Sequence, residues 1–131
     1  MAKIRYVFLL VVGFLLLVLF FYRKPQKFIS YSIEGKTYKL LPAKTPFEHQ
    51  KGLMFYRSKK ELKGADGMIF IFSNKNYRTF WNKNTFLDLN VYWIDGDRIV
   101  GKDFLPSIEK TKEILIINSP KPVNKVVEIV R

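Results

Sequence analysis

The sequence predicts a mainly β domain behind a single N-terminal apolar helix. Three observations carry this. Residues 6–22 form one uninterrupted apolar run. The remainder breaks into about seven or eight short apolar segments, separated by turn residues roughly every eight to twelve positions. Those segments are rich in aromatic and β-branched residues, as a small β core requires. Strands of this length with one short helix argue for an all-β sandwich or barrel.

The apolar run, YVFLLVVGFLLLVLFFY, carries no charge, and its only polar groups are the flanking tyrosines. A helix of roughly 17 residues rises about 25 Å, short of a hydrocarbon core of about 30 Å. Tyr6, Tyr22, Arg5 and Arg23 suit the interfaces and make up the difference. A cleaved signal peptide is the rival, because Lys3 and Arg5 form a basic n-region. The run is bulky, however, and FFYRKPQK holds no small-x-small site. A core helix is disfavoured by apolarity on every face. The expected organisation is a transmembrane anchor at 1–23, a basic joint at 24–27 and a β-domain at 28–131. Positive charge is nearly balanced across the helix, so orientation rests on the signal-anchor pattern, which places the domain outside the cytoplasm.

Of 131 residues, 23 are Lys or Arg and 11 are Asp or Glu. Outside the anchor the net charge is about +9, spread along the chain. That charge suits anionic lipid headgroups or an acidic envelope polymer. Basic residues interleave with aromatics at NYRTFWNKN and hardly elsewhere, which disfavours nucleic acid. The chain has no cysteine and one histidine, His49, so no thiol nucleophile, zinc ribbon or His-rich metal centre is available. No metal or cofactor is expected.

Along the domain, FISYSIEGKTYKLLPA alternates on both sides of Glu34-Gly35-Lys36 and reads as a hairpin. Thr45, Pro46 and Glu48 make a capping-box helix start, and Gly52 ends that helix. YRSKKELKGAD reads as a lysine-rich loop, GMIFIF as a buried strand, SNKN as a turn and YRTFW as a further strand. FLDLNVYWI and RIVGKDFL flank Asp95-Gly96-Asp97, a strong hairpin signal. EILIINS and VNKVVEIV close the chain as strands. Asp95 and Asp97 lack the further oxygen ligands of a calcium loop. His49 reads as a surface residue of the short helix.

The segment RTFWNKNTF is the densest polar-aromatic cluster. If its strand continues, Trp81 and Lys83 share one face while Phe80, Asn82 and Asn84 share the other. Trp81 would serve as an aromatic platform, Lys83 as a charge and Asn84 with Thr85 as hydrogen-bonding groups for a small polar or anionic ligand. The plain alternative is a turn at residues 82–85. Glu48 serves its own cap or acts in acid–base chemistry.

The order TPFEHQKGLM, DGMIFIF, FWNKNT, a strand ending WID, then LPS, NSP and VVEIV resembles the domain of unknown function 192 family. Its pattern runs T-P-x-E…G-L-M, G-M-L-F-x-F, F-W-M-K-N-T, P-L-D and V-L-E-L. The resemblance implies a small jelly-roll-like β-domain, often exported or membrane-anchored, without an established molecular function. It marks Glu48, Gly52, Leu53, Met54, Gly67, Met68, Trp81, Lys83, Asn84, Thr85 and Glu128 as motif positions. Asn82 stands where the pattern has methionine, and Asp88 and Asn90 stand at the proline and aspartate of P-L-D. Arg57 matches a family arginine only with a one-residue shift. The pattern's tail after V-L-E-L is missing from the sequence, which ends at Arg131.

The leading expectation is a membrane-anchored, extracytoplasmic domain that binds a small polar or anionic ligand, or an envelope component. Its candidate residues are Trp81, Lys83, Asn84, Thr85, Asn82, Glu48, Arg57 and Glu128. A rival enzyme would need Lys83 to converge with Glu48 or Glu128. A protein-interaction module of a membrane complex would show an exposed apolar patch instead.

Overall fold

The computed structural model describes residues 2–22 and 27–131. The side chains of Lys3, Arg23 and Lys24, and most of the 24–27 joint, lie outside the described part. Helix α1 (Ala2–Phe21) has no acidic residue in its first turn and no basic residue in its last. Its Ile4–Phe21 stretch is long and apolar enough to cross a membrane, and none of it is buried against the rest of the chain.

The domain holds eight strands: β1 (Ile29–Ile33), β2 (Lys36–Ala43), β3 (Gly67–Asn76), β4 (Thr79–Trp81), β5 (Leu89–Asp95), β6 (Arg98–Leu105), β7 (Ile116–Asn118) and β8 (Val123–Val130). Local chemistry explains several of them. Glu34 and Gly35 both take positive φ, 50° and 79°, as the tight turn between β1 and β2 requires. Gly96 at φ 63° does the same for β5–β6. Helix α2 (Pro46–Lys51) starts with the full capping box: Glu48 N–H donates to the Thr45 hydroxyl, and the Glu48 carboxylate accepts from Thr45 N–H.

Six strands form one sheet in the order β1-β2-β3-β8-β5-β6, and β4 with β7 form a separate ribbon. The expectation is a sandwich or barrel; the six-stranded sheet is not closed. Within it, β2 and β3 pair parallel, with Leu40 opposite Gly67 and Ala43 opposite Phe70. Parallel neighbours need a crossover. Residues 44–66 provide it, through α2 and a 3₁₀ turn at Lys59–Leu62. A second difference is that SNKN extends β3 to Asn76 rather than turning the chain.

Alternation gives the sheet two apolar faces. Leu41, Ala43, Phe70, Val91, Trp93, Val126 and Val130 face one core, which Leu53, Leu62, Phe80 and Ile117 cover from the crossover and the ribbon. Ile33, Leu40, Ile69, Tyr92, Ile94, Val127 and Ile129 form the other, with every buried member drawn from the sheet itself. That second core is buried because the sheet coils: Glu34 beyond β1 and Lys102 of β6, at opposite edges, approach to 3.6 Å.

Gly67 has the closest backbone approach among the glycines. A Cβ there would sit 1.8 Å from the backbone oxygen of Glu128 in β8. That obstacle is backbone in a central strand, so it cannot swing aside. Gly67→Ala is therefore expected to destabilise the domain by about 3 kcal/mol or more in urea unfolding. A cost below about 1 kcal/mol would show that β8 yields there.

Candidate functional site

Strand β8 runs Val126-Val127-Glu128-Ile129-Val130, and Glu128 shares the face of Val126 and Val130. Its neighbours in register are Met68 on β3 and Val91 on β5. The side chain is 4% exposed. Among the described residues, no hydrogen-bond donor or ion pair meets its carboxyl. Desolvation by this apolar setting pushes its pKa up to about 8, so Glu128 is a neutral acid at pH 7.

Glu128 lines a cavity of about 520 Å³ between the sheet, α2 and β4. Aromatic rings build its walls. Phe80 stands edge-on to Phe70 at 4.8 Å and to Trp93 at 5.5 Å. Phe72 carries the His49 ring at 4.4 Å and the Arg78 guanidinium at 3.8 Å from its centre. Arg78 is held by two 2.7 Å bonds to Asn74, while its buried Nε has no partner. Burial lowers its pKa, yet a guanidinium stays charged. The cavity thus has a neutral acid at its buried end and cations, Arg78 and Lys51, among its lining residues.

His49 is half-buried rather than a surface residue. Its Nε2 lies 3.0 Å from the carbonyl oxygens of both Ala43 and Ile71. Carbonyls only accept, so Nε2 carries the proton and the ring ties α2 to the end of β2 and the middle of β3.

Of the residues expected at a site, Trp81, Thr85 and Glu128 line this cavity together. Lys83 does not; it is exposed, with its ammonium 5.3 Å from the Trp81 ring centre. Residues 82–85 form a turn, in which Asn84 takes φ 52° and its carbonyl accepts from Phe55 N–H. Asn82 is fully buried beneath the turn. Its Nδ2 donates to Pro106 O at 3.0 Å and to the Thr111 hydroxyl at 2.8 Å, and its Oδ1 accepts from Leu115 N–H at 2.8 Å. Arg57 bonds Glu109 at 3.2 Å and covers the Phe86 ring. Glu48 lines a second cavity of about 390 Å³. Its carboxylate accepts from Lys44 and Thr45 N–H, which hold its pKa below the usual range. Lys83, Glu48 and Glu128 therefore share no cavity. Asp88 accepts from Ser107 N–H and pairs with Lys110.

Among the cavity residues that sequence reasoning missed are Phe70, Phe72, His49, Lys51 and Arg78. The first two were legible as a same-face pair in GMIFIF. His49 and Arg78 reach the cavity only through the crossover and the end of β3, which local patterning does not fix.

The model of the family DUF192, described as Uncharacterized ACR, matches residues 29–131. No curated protein matches the chain. A crystal structure from Sinorhizobium meliloti 1021, described as a candidate transcription regulator, is 29% identical, with 77% of this chain and 76% of that chain covered at TM-score 0.59. A protein of unknown function from Novosphingobium aromaticivorans DSM 12444 is 24% identical, with 79% and 71% covered at TM-score 0.60, and shares the fold.

Two measurements test this geometry. Because the folded pKa of Glu128 lies above the ordinary 4.5, the unfolded chain loses the proton first as pH rises. Stability from this group is complete below about pH 4.5 and falls by about 1.4 kcal/mol per pH unit until about pH 8. Glu128→Gln is expected to flatten the urea-unfolding profile across that window, and an unchanged slope would place the titration elsewhere. Asn82→Ala strips partners from Leu115 N–H and Pro106 O and should cost about 2–4 kcal/mol. A loss under about 0.5 kcal/mol would mean that water replaces the amide.

Proposed function

We propose that this chain, which belongs to the DUF192 family, is a membrane-tethered binding domain for a small organic acid. The tether is α1, and the domain lies outside the cytoplasm. One observation carries the binding reading: a buried carboxyl without a protein partner lines an aromatic-walled cavity whose other charged lining groups are cations. An isolated buried acid is costly. A ligand that accepts its proton in a hydrogen bond offsets that cost. While Glu128 is neutral it does not repel an anion, and Arg78 and Lys51 attract one. Phe70, Phe72 and Phe80 suit a planar or apolar body.

Trp81 and Thr85 keep the roles expected of them as platform and hydroxyl, whereas Arg78 supplies the cation in place of Lys83. The enzyme reading loses its main support, because the lysine and the two glutamates share no cavity. Transcription regulation is not carried over from the Sinorhizobium protein. Among the described residues, the longest helix after α1 is α2 with 6 residues, too short to serve as a recognition helix.

A thermal-shift screen of residues 27–131 against small organic acids and their amides tests the proposal. Acids are expected to raise the melting temperature. That shift should vanish in Glu128→Leu, which keeps the site apolar and filled, and persist in Lys83→Ala. A stabilising acid that ignores Glu128→Leu but fails with Lys83→Ala would move the site to the turn.

A further inference from the structure

The outer face of the β4–β7 ribbon is apolar where it meets water. Phe80 and Ile117 pair in register and point into the core. Their neighbours Trp81 and Ile116 also pair, and point outward at 42% and 55% exposure. Ile114 and Leu115 continue this surface, 50% and 39% exposed. A solvated sheet face normally carries polar side chains here. Contiguous exposed apolar residues mark an interaction surface.

This surface is fixed by a device inside the fold. The buried Asn82 amide accepts from Leu115 N–H and donates to Pro106 and Thr111. Asn82 N–H in turn donates to the Leu115 carbonyl at 3.2 Å. The strip Ile114–Ile116 is thus clamped beside Trp81 rather than free to fold inward. Lys83 sits over Trp81, and Lys112 is exposed before the strip. Glu113 is an acid directly before the strip, and its carbonyl accepts from the Thr111 hydroxyl at 2.8 Å.

We propose that Trp81, Ile114, Leu115 and Ile116, rimmed by Lys83 and Lys112, dock the domain onto an anionic lipid bilayer. Tryptophan favours the headgroup level, where its ring is apolar and its N–H finds water or phosphate. Lysines beside it reach anionic headgroups while their stems stay on apolar surface. The domain's charge of about +9 has the matching sign. The same charge opposes a second copy of the chain on this face.

Size points the same way. Four side chains, each about half exposed, fall well short of the ~800 Å² per partner of a stable protein interface. A weak surface suffices on a membrane when the chain is already tethered, because tethering raises the effective concentration. Helix α1 is such a tether. This surface shares Trp81 with the cavity, but Ile114, Leu115 and Ile116 do not line it, so their substitution tests the surface alone.

Vesicle binding tests it. Residues 27–131 suffice, because both cores are built without any residue of α1. The domain is mixed with phosphatidylcholine vesicles, with and without phosphatidylglycerol. Trp93 is 0% exposed and out of reach of lipid, so its emission is a constant background and a change in tryptophan emission reports Trp81. The expected result is a blue shift and co-flotation with phosphatidylglycerol vesicles, weakened by salt. Ile114→Ser with Ile116→Ser should cut partitioning by about tenfold and leave the urea midpoint unchanged. Lys83→Gln with Lys112→Gln should remove the preference for anionic lipid. Three outcomes would overturn the proposal: no binding to either vesicle, binding indifferent to the isoleucine pair, or a blue shift that grows with protein concentration without vesicles. The last would identify a second copy as the occupant.

Discussion

The closest backbone approach among the glycines falls between β3 and β8, where Gly67 lies against the carbonyl of Glu128. Strand β8 is the last element in sequence and a central strand in space, paired with β3 on one side and β5 on the other. Everything on the two faces takes its register from that insertion. Val126, Glu128 and Val130 point to one core while Val127 and Ile129 point to the other. A one-residue slip would exchange the faces and carry Glu128 into the all-sheet core, away from the cavity. Two short motifs far apart in sequence, DGM and VVEIV, are thus parts of a single contact. The glycine is required not for unusual torsion but because the space of its side chain is taken.

Local elements were legible in the sequence and long-range ones were not, for a physical reason. The Glu34-Gly35 turn, the Asp95-Gly96 turn and the Thr45–Glu48 capping box each depend on residues within a few positions, and each formed as read. The parallel pairing of β2 with β3 depends on how a crossover packs, and no local signal distinguishes it from an antiparallel neighbour. Without it, a sandwich or barrel was the natural expectation. Coiling of the sheet, which buries the second core, is likewise a property of six strands together.

The same division runs through the candidate site. Alternation placed Phe80 and Asn82 on one side and Trp81 on the other, and the structure keeps that order. What patterning missed is how differently the two faces act. Phe80 closes an aromatic wall over Phe70 and Trp93, whereas Asn82 meets three polar groups and none from solvent. An asparagine in a turn is usually read as a turn former. Here it is a buried clamp, and Asn84, with its positive φ, is the turn former. A methionine at position 82, as in the family pattern, would offer one weak sulfur acceptor to the same three groups. The arrangement of the 106–115 segment is therefore tied to the asparagine of this chain.

Glu128 was legible as a motif position and a candidate site residue but not as a buried one, because V-V-E-I-V alone does not show which face of the strand meets solvent. Its burial changes its chemistry. In a domain with nearly twice as many basic as acidic residues, a surface glutamate would be an ion-pair partner. Each of Asp66, Asp88 and Asp95 has such a lysine. Glu128 has none, although Lys51 and Arg78 line the same cavity. Had either cation formed a contact ion pair with it, the carboxyl would be ionised, and the cavity would hold a neutralised pair with little attraction for an anion. Keeping the acid protonated and apart leaves the positive charge uncompensated, together with an O–H donor at the buried end. Separation of the acid from the cations, more than the presence of either, is what the proposed preference for an anionic guest rests on.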